Sequence, residues 1–101
     1  MNESETEAMI QAKGKTAPRL TPESINAVIK DTAYHRFPGT TLTVCAITLT
    51  NGFIVTGESA AASPENFDEV IGQKIAFENA RGKIWPLEGY LLRERLHWEG
   101  R

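Results

Sequence analysis

Glu58 follows Gly57 at the end of an apolar, strand-like run. A carboxylate there is costly unless it is paired or sits at the margin of a sheet. It reads either as a rim residue bridged to a helix or as an acceptor for the donors of a ligand. Lys74, Glu78 and Arg81 fall inside the apolar arc of a helix-like segment instead of opposite it. Lys74 and Glu78 stand at four-residue spacing, which gives a weak surface pair with carbon stems lying on the core. The alternative is a polar pocket between helix and sheet. Near the C-terminus, Trp85, Tyr90 and Trp98 accompany Arg93 and Arg95. Trp85 reads first as core filling, yet Trp, Tyr and Arg are also enriched at binding hot spots. An aromatic face beside a guanidinium suits a nucleobase and a phosphate. The ligand-binding candidates are therefore Glu58, Lys74, Glu78, Trp85, Tyr90 and Arg93.

A secondary group comprises Tyr34, His35 and Arg36, crowded with Phe37 before Pro38-Gly39, together with Ser59. Loops carry function more often than scaffolds do, and the bland alternative is a capped helix exit with two buried aromatics. Glu58 with His35 would make a small hydrolase, and Ser59 with His35 a nucleophile and base. Neither stands in a recognisable catalytic pattern. No phosphate-binding loop, dinucleotide fingerprint, zinc-protease motif or nucleophile elbow is present. Cys45 is the only cysteine, so it has no internal disulfide partner, and it reads as a small buried hydrophobe. No catalytic residue, metal ligand set or cofactor is assigned.

The elements that must position these residues follow from the apolar pattern. With 101 residues the chain suits one domain with a small core, which leans on self-association for stability. A net charge of -2 argues against general nucleic-acid binding. No stretch approaches the ~18 apolar residues of a membrane span, and the acidic start is no signal peptide. The expectation is a soluble, intracellular protein, and a single thiol fits a reducing cytoplasm. Residues 1–20 read as a disordered or weakly helical tail, with a short helix at most over 5–12, and residues 21–98 as a single α+β domain.

Thr21 and Pro22 open a helix expected to run to about residue 34. The run TLTVCAITLTNGFIVTGES then reads as two strands joined at Asn51-Gly52, a strong two-residue turn signal. That turn would set Leu49 opposite Ile54 and Cys45 opposite Glu58. Cys45, Ile47, Leu49 and Ile54 would share one face, and Leu42, Val44, Ala46, Phe53 and Val55 the other. Both faces are largely apolar, so both need cover. Ser63 and Pro64 open the clearest helix, with Phe67, Val70, Ile71, Ile75 and Phe77 on a broad apolar arc and a stop at Gly82-Lys83. Gly72, Ala76 and Ala80 form a second stripe, whose glycine suggests a close approach to another helix or to a copy of itself. A last helix from Pro86 carries Leu87, Tyr90, Leu91 and Trp98 on one side and Leu92 and Leu96 on another. The order is α-β-β-α-α: an Asn-Gly hairpin packed against two or three helices and completed by oligomerisation.

The segments YHRFPGTTLTVCAITLTNGFIVTGES, PENFDEVIGQKIAFENA and KIWPLEGYLLRERL resemble a family of small tailed-phage and prophage proteins, the gene-product forty-nine / gene sixty-six family. The resemblance covers about residues 21–96. It implies a phage accessory protein and brings no catalytic residues with it. The expected role is a non-enzymatic, homo-oligomeric binding protein for host takeover or counter-defence. It would sequester or block a host component, with a nucleotide-type small ligand at a protomer interface as the leading case. The alternatives are a protein-binding inhibitor of a host enzyme and, third, the small hydrolase.

Overall fold

The computed structural model describes residues 2–15 and 17–101. Its elements are α1 (Glu3–Ala12), α2 (Pro22–Ala27), β1 (Ile29–Arg36), β2 (Leu42–Leu49), β3 (Ile54–Ala60), a 3-10 turn (Pro64–Asn66), α3 (Glu69–Gly82) and α4 (Ile84–Trp98). The class is α+β, as expected. Within the N-terminal tail a helix does form, capped by Asn2, whose side chain accepts from the Glu5 N–H while Glu5 accepts from the Asn2 N–H. Met1 and Thr16 of that tail lie outside the described residues.

The helix expected over 22–34 is corrected. Thr21 and Ser24 make a reciprocal cap around Pro22, but the helix ends at Ala27. Residues 29–36 instead form an edge strand antiparallel to β2. Thr32, Tyr34 and the bulged start at Lys30 suit a pleated strand, and pairing there satisfies one side of the β2 backbone. The sheet order is β1-β2-β3, all antiparallel.

The register of β2 with β3 is also corrected. The Leu49 N–H donates to the Phe53 carbonyl at 2.8 Å, so three residues lie in the connection. Gly52 takes the left-handed conformation, φ 91°, while no described non-glycine residue has positive φ. This is a three-residue loop with glycine at its left-handed position, not the two-residue turn. Cys45 therefore pairs with Gly57, and Val44 with Glu58. A shift of one residue exchanges the faces of the whole strand. Val55 joins Cys45, Ile47 and Leu49 in the core, whereas Ile54, Thr56 and Glu58 go to the outer face.

Helix α3 packs on the inner face over β2 and β3, and the way it does so inverts the expected wheel. Asp68, not Ser63, caps it, accepting from the Ile71 N–H at 3.0 Å. The buried side of α3 is the small-residue stripe Gly72, Ala76 and Ala80. Gly72 lies against Thr43, and Ala76 and Ala80 meet the sheet at Gly57, where a Cβ would stand 2.2 Å from the Ala80 nitrogen and 2.5 Å from the Ala76 carbonyl oxygen. The close approach is thus helix to strand. Val70, Ile71 and Ile75, expected on the core side, are exposed. The core comprises Ile25, Cys45, Ile47, Leu49, Val55, Ala76, Ala80 and Ile84.

Lys83 separates α3 from α4, whose first turn supplies Ile84 to the core. Beyond it α4 runs outward, leaving Tyr90, Leu91 and Trp98 at least half exposed. The molecule measures 53 × 31 × 17 Å, and its radius of gyration is 16.6 Å. A compact chain of this length would have about 13 Å.

Candidate functional site

The structure distributes the sequence candidates over several surfaces. Glu58 is exposed on the outer face of β3, and its backbone carbonyl accepts from the Asn79 side chain at 2.9 Å. Lys74 and Glu78 are exposed on α3. Trp85 is half-buried at the start of α4, its indole N–H donating to the Glu3 carboxylate at 3.2 Å. Tyr90 is 70% exposed midway along α4. Arg93 is exposed three residues later and donates to the Arg101 carbonyl at 2.6 Å. Of the six, Tyr90 and Arg93 lie close along one helix; no shared pocket gathers the set.

The secondary candidates belong to strands, not to a helix exit. His35 and Glu58 both pair with Val44, so they share one row of the outer face. Two strand spacings, roughly 10 Å, separate them, too far for a direct hydrogen bond. Ser59 pairs with Thr43, a buried residue of the inner face, and so points away from His35. Arg36 stacks over Phe67 at 4.1 Å, and His35 meets Phe37 edge-on. Cys45 is fully buried. Burial pushes its thiol pKa up, away from the thiolate that nucleophilic chemistry needs. Among the described residues no group of three His, Cys, Asp or Glu side chains is placed to hold a metal.

What the structure does assemble is a cleft between the β2–β3 loop and α4. It measures about 540 Å³ and is walled by Val28, Leu49, Phe53, Leu87, Tyr90 and Leu91, with Asn51 and Glu88 at its edge. Among the described residues Glu88 is the one charged residue lining it. A second hollow of about 460 Å³ shares Val28, Glu88 and Leu91 with it and continues past Leu20 and Arg95. Phe53 and Leu91 were not singled out as site residues. The tip of an exposed loop holding an aromatic residue was the available signal, but which helix it would face depends on the tertiary fold.

Two further apolar surfaces lack an intramolecular partner among the described residues. One is the outward row of α3, with Val70, Ile71 and Ile75 exposed by 77%, 57% and 42%. The other is the outer sheet face, where Leu42, Val44 and Ala46 are half-buried and Ile54 is exposed. The question of what covers the second face of the strands has a direct answer within one chain: α3 covers the inner face only.

No described helix is long and apolar enough to cross a membrane. No curated protein and no solved structure matches the chain. A family profile does match, over residues 20–96, which takes in both walls of the cleft, the whole sheet, α3 and most of α4. The resemblance seen in the PENF, NGF and IWPLEGY segments is thereby established, and the chain belongs to the phage protein (N4 Gp49/phage Sf6 gene 66) family.

Proposed function

We propose that this phage protein acts without catalysis, as an oligomeric accessory protein that binds and blocks a host protein. The observation that carries this reading is the Phe53–Tyr90–Leu91 cleft, apolar, open, and free of lysine or arginine among its lining residues. Such a wall suits apolar side chains of a protein partner better than a phosphate. Self-association is supported by surface area. The accessible surface is 7045 Å², against about 5,700 Å² for a compact monomer of this mass. The excess is larger than the ~800 Å² that each partner contributes to a standard interface.

A nucleotide-type ligand at a protomer interface is the second reading. It is favoured by Tyr90 and Arg93 standing exposed three residues apart on α4, where a neighbouring copy could complete a site. Native mass spectrometry of protein purified gently from a bacterial host separates the two. A defined oligomer carrying a host protein is the expected result, and Tyr90→Ala with an unchanged circular dichroism spectrum should lose that protein. An oligomer carrying only a small mass would replace the first reading with the second. A bare monomer would remove both.

A further inference from the structure

Helix α1 lies beside the domain yet buries none of its residues. Its attachment is polar. The Glu3 carboxylate meets Arg81 in a two-pronged contact, with Nη1 donating at 2.6 Å and Nη2 at 3.0 Å. The Trp85 indole donates to the same carboxylate at 3.2 Å. Arg81 is held for this role from behind: its Nε donates to the Asn26 side chain at 3.0 Å and Nη2 also to the Pro22 carbonyl at 3.3 Å. One helical turn later Glu7 makes the same kind of contact with Arg19, at 2.7 and 2.8 Å. The guanidinium side chains are only 16% and 25% exposed, so they are set into the surface. Between them, under α1, lies a hollow of about 250 Å³ lined by Ile10, Leu20, Pro22 and Trp85.

Residues Pro22, Asn26, Arg81 and Trp85 lie inside the family-matched span, and Arg19 immediately precedes it, whereas the two carboxylates come from outside it. A planar guanidinium fork, pre-oriented by two backing acceptors and joined by an indole N–H, is a carboxylate receptor in its own right. Carboxylates four residues apart on one helix face are the matching ligand. We propose that Arg19, Arg81 and Trp85 form a receptor for an acidic helix of a partner protein, one presenting two carboxylates at four-residue spacing. In the free protein α1 occupies that receptor as an internal surrogate. The apolar cleft shares no lining residue with the hollow under α1.

The test uses the full chain with Glu3→Gln and Glu7→Gln, which leaves every buried residue in place. The probe is a peptide copying residues 2–13, followed through the Trp85 indole N–H resonance. The peptide should shift that resonance and bind the double variant about tenfold more tightly than the wild type, the ratio expected if α1 fills the receptor nine-tenths of the time. A peptide with glutamine in place of both glutamates should not bind, and Arg81→Ala in the double variant should abolish binding. Failure of the acidic peptide to bind the double variant, or equal binding to both proteins, would overturn the proposal. So would a response to inorganic phosphate without one to the peptide, which would reassign the fork to phosphoryl groups.

Discussion

Helices α3 and α1 are attached to the same small domain by opposite means. α3 brings backbone to backbone: Gly57 on the strand and Ala76 and Ala80 on the helix leave no room for a side chain between them. α1 is held at arm's length by Glu3–Arg81 and Glu7–Arg19, over a shallow hollow. The first attachment is made of van der Waals contact and excluded water, so it is sensitive to volume and indifferent to salt. The second is made of charge, so it is sensitive to salt and pH and tolerant of shape. A seam of the first kind defines the fold; a latch of the second kind can open while the fold persists.

The sharpest way to break this contrast is at the seam. Gly57→Ala places a methyl group 2.2 Å from the Ala80 backbone nitrogen, which cannot move aside as a side chain would. Overpacking of this kind should cost about 3 kcal/mol, the upper end of the usual range, measured by urea denaturation. A loss below about 1 kcal/mol would mean that the helix rides looser than its contacts imply.

The latch should respond to acid. Hydrogen bonds from Arg19, then Gln11, hold the Glu7 pKa at about 2, down from its ordinary 4.5. The hydrogen bond from Arg81 is likewise the chief cause of the lowered value of Glu3. A carboxylate whose pKa falls on docking stabilises the docked state above its undocked value. The share of that contribution owed to Arg19 is lost as the pH falls below 4.5; the share owed to Gln11 lies within α1 and is not lost on release. The Trp85 indole resonance should therefore move to its released position across this window, and at neutral pH in 1 M salt, while α3 amides stay protected. Simultaneous loss of α1 and α3 would make the two attachments one cooperative unit.

The smallest effect on stability is expected on the outward side of α3. Ile71→Ser with Ile75→Ser should change unfolding free energy by no more than about 0.5 kcal/mol per site. The same double variant should weaken self-association in sedimentation velocity. A large stability loss in a dilute, monomeric sample would show that these residues are covered within the chain.

Much of the fold was legible because it rests on local chemistry. Thr21-Pro22 marks a helix start, Gly82 a helix end, and the alternation through Cys45, Ile47 and Leu49 a strand with an apolar inward side. What was not legible depends on partners distant in sequence. Residues 29–34 carry helical spacing, but β2 offers them a backbone ladder that outweighs it. The wheel of α3 points Val70, Ile71 and Ile75 inward until Gly57 is known to face the helix, since a bare strand surface admits a closer and narrower contact. A glycine inside a strand was the available signal. Of the candidate site residues, Trp85 was recognised as an aromatic beside an arginine, but its arginine is Arg81, and the carboxylate joining them comes from Glu3, 78 residues away from Arg81. No local pattern encodes that meeting.

The three-residue connection between β2 and β3 acts on the second strand as a reading frame acts on a message. Every inward residue of β3 owes its side to the pairing of Leu49 with Phe53 across that connection. Moving that pairing by one residue would present Glu58 in place of Gly57 to the Ala76 carbonyl, and the helix could no longer approach. The face that β3 turns outward, with Ile54 and Glu58, is fixed by the same pairing. The Asn51 side chain helps to hold that frame, accepting from the Phe53 N–H at 3.0 Å.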